Sequence, residues 1–202
     1  MKEQDYDKLL NVETGEDGKE FHKSWHYNRY EATPYRALET LFSHYQLKSS
    51  DRIVDFGCGK GRLNFFIYDR FQASVVGIEV DEILYREAMV NQKYYLSKTN
   101  KGQEKILFLY CKAEDYQIDE LDNRFYFFNP FSIQVFRQVI NQILLSVEKA
   151  VRDIEIILYY PSKDYISFLE TYTSFELQKE IILPELHEKN QNERFLIYQL
   201  VY

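Results

Sequence analysis

Residues 53–63 read Ile-Val-Asp-Phe-Gly-Cys-Gly-Lys-Gly-Arg-Leu, and this stretch restricts the fold more than any other in the chain. The β-branched Ile53 and Val54 favour a strand, glycines at 57, 59 and 61 interrupt it, and residues 63–71 resume with helical apolar content. Lacking Cβ atoms, such glycines let a turn take dihedrals closed to other residues and let a ligand lie against the backbone. The helix that follows points its free N–H groups at the same place.

The spacing separates two ligand classes. A dinucleotide turn is G-x-G-x-x-G, which would need a glycine at 62, where Arg62 stands. Here the pattern is G-x-G-x-G, preceded by Asp55 at the strand end. Asp55, Gly57, Gly59 and Gly61 together resemble motif I of the class I S-adenosylmethionine (SAM) dependent methyltransferases, D-x-G-x-G-x-G. That resemblance implies that Asp55 organises the loop and helps hold the methionine end, where a carboxylate suits a cationic sulfonium and amino group.

Residues 73–80 read as a buried strand ending in an acid, Glu79, which lies 24 positions after Asp55. This approaches the roughly 20-residue separation at which α/β nucleotide sites place an acid on ribose hydroxyls. In the resembling family it is motif II, and a carboxylate there accepts from both hydroxyls of a cis-diol. Residues 105–110 make a third strand, followed by Cys-Lys-Ala-Glu-Asp. The family's usual Gly-Asp-Ala places an acid on the adenine amino group and a backbone amide on the ring. Lys112 stands where the acid is expected, so the resemblance leaves the amide to Ala113 and the acid to Glu114.

Residues 124–132 predict a fourth strand stopped by Pro130, which cannot donate into a ladder. The sequence Asn129-Pro130-Phe131 resembles motif IV of amino-group methyltransferases with one proline missing. It implies a catalytic, acceptor-positioning role for Asn129 and Phe131, with Asn129 also near the cofactor. Helices are expected over 82–96, 133–147 and 164–172, a fifth strand over 154–160, and a final pair of strands over 175–183 and 195–202 across a polar loop at 184–193.

Before the glycine strand, Thr33-Pro34 reads as a helix start, with Thr33 as cap and Pro34 in the first position. The preceding aromatic segment, 21–35, is read either as a packed arm or as a lid, with Tyr30 and Thr33 at the cofactor and Tyr27, Tyr30 and His26 as possible site residues. Residues 1–20 mix charges with Gly15 and Gly18 and predict a flexible or partly ordered start. His22 and His26 share an i, i+4 spacing without further ligands to complete a metal pattern, so no metal is expected.

Strands alternating with helices, then two strands in succession, give an α/β fold in a single domain. The sheet should be mostly parallel and seven-stranded, with helices on both faces and an antiparallel edge, as in class I methyltransferases. The expected division is an N-terminal arm over 1–33 and a SAM-binding domain over 34–202. The resemblance implies a SAM-dependent methyltransferase acting on a nitrogen, or another nucleophile, of a protein or small molecule. A non-catalytic SAM-binding protein and, less well supported, an NAD-dependent oxidoreductase are the alternatives. A formal net charge of -7 disfavours a nucleic-acid partner, no apolar run has membrane-spanning length, and a polar N-terminus without an apolar signal region points to the cytoplasm.

Overall fold

The near-continuous apolar runs of the central strands require that both faces of the sheet be covered, and the helices are distributed accordingly. The computed structural model describes residues 2–15, 26–99 and 102–202. Along the chain run α1 Glu3–Leu10, α2 Tyr35–His44, β1 Arg52–Phe56, α3 Arg62–Phe71, β2 Ser74–Glu79, α4 Glu82–Thr99 and β3 Ile106–Tyr110. After a 3-10 turn at Ala113–Asp115 come β4 Arg124–Phe127, α5 Ile133–Lys149, β5 Glu155–Tyr159, α6 Lys163–Tyr172, β6 Phe175–Ile182, α7 Pro184–His187 and β7 Arg194–Leu200.

The seven strands form one sheet in the order β3-β2-β1-β4-β5-β7-β6. Strands β1 to β5 pair in parallel, whereas β7 runs antiparallel to both β5 and β6, so the mostly parallel sheet ends in an antiparallel pair. Ile53, Val75, Tyr126 and Ile157 face one buried cluster with α1, α2, α3 and α4. Their chain neighbours Val54, Val76, Phe125 and Ile156 face another with α5 and α6. Period-two alternation thus splits one sheet between two cores.

Helix α3 is buried along Arg62–Tyr68, polar residues included, because the chain's first residues pack over its outer side. This corrects the expectation of a loose start over 2–15; residues 1 and 16–20 lie outside the described ones. Tyr6 and Leu10, an i, i+4 pair, bury the inner side of α1, and the Tyr6 ring stacks on Tyr35 with centroids 4.6 Å apart. Farther on, Asn11 Nδ2 donates to the Tyr94 carbonyl at 2.6 Å, and Glu13 N donates to Asn91 Oδ1 at 2.8 Å. Tyr35, the last residue of the aromatic segment 21–35, is fully buried in this packing.

Helix α2 begins one residue later than the sequence suggests. Pro34 lies outside it in an extended conformation, and the first helical N–H, of Tyr35, donates to Glu3 Oε1 at 2.9 Å. Thr33 is therefore not the cap; its hydroxyl is 2.8 Å from that of Tyr126. The fourth strand also stops early, at Phe127, because Asn129 takes φ 42° and turns the chain before Pro130. Phe21, His22 and Trp25 lie outside the described residues. No helix among the described residues is long and apolar enough to cross a membrane.

Candidate functional site

Connections from β1 and from β4 leave toward opposite ends of the sheet, and a crevice opens where they diverge, beyond the carboxyl ends of the strands. Phe56 is in register with both Ile78 and Phe127, so the turns after β1, β2 and β4 meet there. Gly57 N and Cys58 N donate to the Ile78 carbonyl at 2.9 and 3.1 Å. At Gly57, φ is 81° and a Cβ would lie 2.7 Å from Pro130 Cβ, so only glycine lets the two turns approach. At Gly59 a Cβ would fall 1.9 Å from Cε2 of Tyr30, whose ring lies directly on the loop. Gly61 opens α3 and faces the rings of Phe65 and Phe108.

Two buried carboxylates stand behind these turns. Glu79 Oε2 accepts from Gly59 N at 2.9 Å, while Oε1 accepts from Val80 N and Asp81 N, both at 2.8 Å. A carboxylate offers about four lone-pair sites. About one remains for a ligand hydroxyl, fewer than the pair expected from sequence. Burial pushes the Glu79 carboxyl above its usual range, against the opposing effect of the backbone donors. Asp55 is 4% exposed and has no hydrogen-bond partner among the described residues. Burial, and after it the charge of Glu79, holds its carboxyl well above the usual range. Removed from water and beside a second acid, the Asp55 carboxyl is in surroundings where its ionised form would be favoured by a nearby cation.

A cavity of about 350 Å³ adjoins Glu79, walled by Tyr27, Arg29, Tyr30, Glu31, Gly57, Asp81, Phe128, Asn129 and Tyr160 among others. A small extension of about 20 Å³ is lined by Tyr30, Thr33, Asp55, Cys58, Arg62 and Tyr126. The structure therefore brings Asp55, Gly57, Glu79, Tyr30, Thr33 and Asn129 to one crevice. The chain's N-terminal part closes its rear: Tyr30 Oη donates to the Thr14 carbonyl at 2.9 Å, and Lys60 Nζ to the Gly15 carbonyl at 2.8 Å. Arg62, at the start of α3, donates from Nε to Thr14 Oγ1 at 2.7 Å, pairs with Glu3 and lies 4.5 Å over the Tyr35 ring.

Phe131 is placed otherwise than the sequence suggests. It is 2% exposed, its ring edge-on to Phe56, Phe127 and Tyr27, and its carbonyl accepts from Tyr165 Oη. Without the second proline of the motif the aromatic falls on the inner side of the turn. The aromatic wall comes instead from Tyr160, in the same relation to Pro161 as Asn129 to Pro130. Tyr160 has φ 50°, and its hydroxyl accepts from Asn190 Nδ2 at 2.5 Å. Non-glycine residues with such φ cost roughly 1–3 kcal/mol each and persist where surrounding structure holds them, often at functional sites. The repeated aromatic/Asn-before-Pro ending of β4 and β5 was the available sequence signal.

Ala113 and Glu114 reach the cavity only through Tyr27. The Tyr27 hydroxyl donates to Glu114 Oε2 at 2.6 Å and accepts from Ala113 N at 3.2 Å. Burial, and then the bond to Glu114, raises the pKa of this phenol, so it stays protonated at neutral pH. The backbone around it is fixed: Asn28 N donates to the Pro130 carbonyl at 2.9 Å, and Ser132 N to the His26 carbonyl at 2.8 Å.

Residues 33–120 match a protein-family model described as a methyltransferase domain. Among solved structures the chain is similar to an RNA methyltransferase from Salinibacter ruber in complex with S-adenosyl-L-homocysteine, with 13% identity and a TM-score of 0.60 over 84% of this chain and 94% of that one. It is also similar to a SAM-dependent methyltransferase from Thiobacillus denitrificans in complex with the same ligand, with 13% identity and a TM-score of 0.55 over 84% and 91% of the two chains. A third, a SAM-dependent methyltransferase from Aquifex aeolicus, has 12% identity and a TM-score of 0.57 over 81% and 89%. No curated protein matches the sequence. The chain thus has the Rossmann-like fold seen in those SAM-dependent methyltransferases, and its residues 33–120 match the methyltransferase-domain model.

Proposed function

We propose that the protein is a SAM-dependent methyltransferase whose acceptor is a nitrogen on a small molecule or protein. The observation that carries this reading is the buried, unpartnered Asp55 carboxylate beside Glu79 at the carboxyl ends of β1 and β2. SAM is a cation with a ribose diol, and these residues fit it: Asp55 offers charge to the ammonium end, Glu79 an acceptor to a ribose hydroxyl, and the Gly57–Gly61 backbone a surface without side chains. The cavity volume of about 350 Å³ falls within the usual range of small-molecule sites.

SAM supplies a methyl group already activated by its sulfonium, so positioning of the acceptor can provide most of the acceleration. Asn129, on the cavity wall, accepts a hydrogen bond from the acceptor's N–H through its side-chain oxygen and so aims the nitrogen lone pair; Tyr160 and Phe128 bound the same space. Thr14, Gly15 and Tyr30 cover the glycine loop from the rear and so help exclude water there. A net charge of -7 works against an RNA acceptor such as that named for the Salinibacter protein.

Calorimetric titration with SAM tests the cofactor assignment. Glu79→Ala should lower the affinity about tenfold or more, as expected for loss of a hydrogen bond to a charged group. Unchanged affinity, or tight binding of NADH by the unmodified protein, would overturn it. Incubation with tritiated SAM and fractionated lysate then identifies the acceptor, and label recovered in RNA would displace the protein or small-molecule assignment.

A further inference from the structure

The edge of an adenine presents a hydrogen-bond acceptor, N1, beside a donor, the exocyclic amino group. A site that reads it must present a donor beside an acceptor. At the carboxyl end of β3 the Ala113 N–H and the Glu114 carboxylate make this pair, and a single atom bridges both: the Tyr27 hydroxyl, 3.2 Å from the first and 2.6 Å from the second. A phenol is donor and acceptor at once, so it satisfies both groups as the adenine edge would.

We infer that Tyr27 is a built-in occupant of the adenine subsite, which the cofactor must displace to bind. The inference rests on the SAM reading above. Placement of the residue is not accidental to a loose arm. Tyr27 pairs through its backbone with Phe131, and its ring meets that of Phe131 edge-on with centroids 5.9 Å apart. Asn28 Nδ2 donates to the Asn129 carbonyl at 2.6 Å, so the same three-residue strap holds the turn proposed to position the acceptor. The ring needs to rotate away from β3, while the strap can stay. Until it does, Ala113 and Glu114 keep their hydrogen bonds without ligand. When it does, the adenine takes over both. Cofactor entry is thus coupled to release of one side chain, and the cofactor's affinity is lowered by the work of displacing the phenol.

Tyr27→Phe tests this directly, because it removes the hydroxyl and keeps the ring packed on Phe131. Without the hydroxyl, Ala113 and Glu114 have no partner to give up, and S-adenosylhomocysteine should bind about tenfold tighter than to the unmodified protein by calorimetry. Equal or weaker binding by a Tyr27→Phe protein of unchanged circular dichroism would overturn the inference, since the hydroxyl would then be orienting Glu114 for the ligand. A crystal structure with S-adenosylhomocysteine provides the second measurement. The Tyr27 hydroxyl should have left Ala113 N and Glu114; its persistence there with ligand bound would refute displacement and leave the SAM reading intact. Failure of both proteins to bind S-adenosylhomocysteine would overturn the SAM reading and this inference together.

Discussion

Replacing Gly59 by alanine adds one carbon, and two separate costs follow. The backbone there has φ 54°, a left-handed conformation that costs an L-residue roughly 1–2 kcal/mol. The new Cβ would also stand 1.9 Å from Cε2 and 2.3 Å from Cδ2 of Tyr30. That ring cannot move away freely, because it is 9% exposed and its hydroxyl donates to the Thr14 carbonyl at 2.9 Å. Forced overlap in a packed region adds roughly 1–3 kcal/mol. The sum, about 2–5 kcal/mol, should lower the melting temperature by about 10 °C, given 2–4 °C per kcal/mol for domains of this size. A double-mutant cycle separates the two costs. Truncating Tyr30 to alanine removes the overlap but leaves the backbone strain, so Gly59→Ala should cost less in a Tyr30→Ala background by roughly 1–3 kcal/mol. Urea denaturation of the four proteins measures this. A Gly59→Ala protein melting within about 2 °C of the parent, or strictly additive effects, would refute the reasoning.

Asp55→Asn removes a carboxyl whose pKa burial and the Glu79 charge raise in the folded state. Such a group gives stability below the usual carboxylate range that is lost as pH rises through its folded pKa, so the asparagine protein should be the more stable at neutral pH, with the advantage disappearing in acid. Parallel profiles of melting temperature against pH would contradict this. The same variant should bind SAM more weakly, since its cationic groups lose the carboxylate; equal affinity would remove Asp55 from the site. Asn129→Gly keeps the left-handed turn and deletes the amide, so turnover on the identified acceptor should fall while SAM affinity stays close to the parent's. Equal loss of both would assign Asn129 to the cofactor.

The strands and their alternation with helices were legible because they depend on short-range pattern. Ile53-Val54, the alternate glycines and the β-branched run before Glu79 each carry their own signal. The sequence also indicated the crevice, since glycines and acids at strand ends are placed by topology alone. What it did not indicate were contacts between distant segments. Tyr6 and Leu10 make only one helical repeat in a charged stretch, and their burial depends on α3 and Tyr35, far along the chain. The inward turn of Phe131 follows from a missing proline and from rings on β1 and β4, which no local pattern reports. Arg62 was read only as a residue that was not glycine; its guanidinium in fact joins Glu3, Thr14 and Tyr35.

The N-terminal residues over α3 and α4 also bear on the order of assembly. Asn11 reaches Tyr94 across 83 positions of sequence, and Glu13 reaches Asn91 across 78. Closing loops of that length carries an entropic cost that only prior formation of α4 and the central strands can offset. During synthesis this segment emerges before the glycine turn it covers, and it docks only after that turn has formed. Held by the Tyr6 and Leu10 side chains at one end and by hydrogen bonds at the other, it packs on α2, α3 and α4 and is a unit that can detach while the sheet remains intact. The rear wall of the crevice would then be the last part of the molecule to close in folding and among the first to open afterwards.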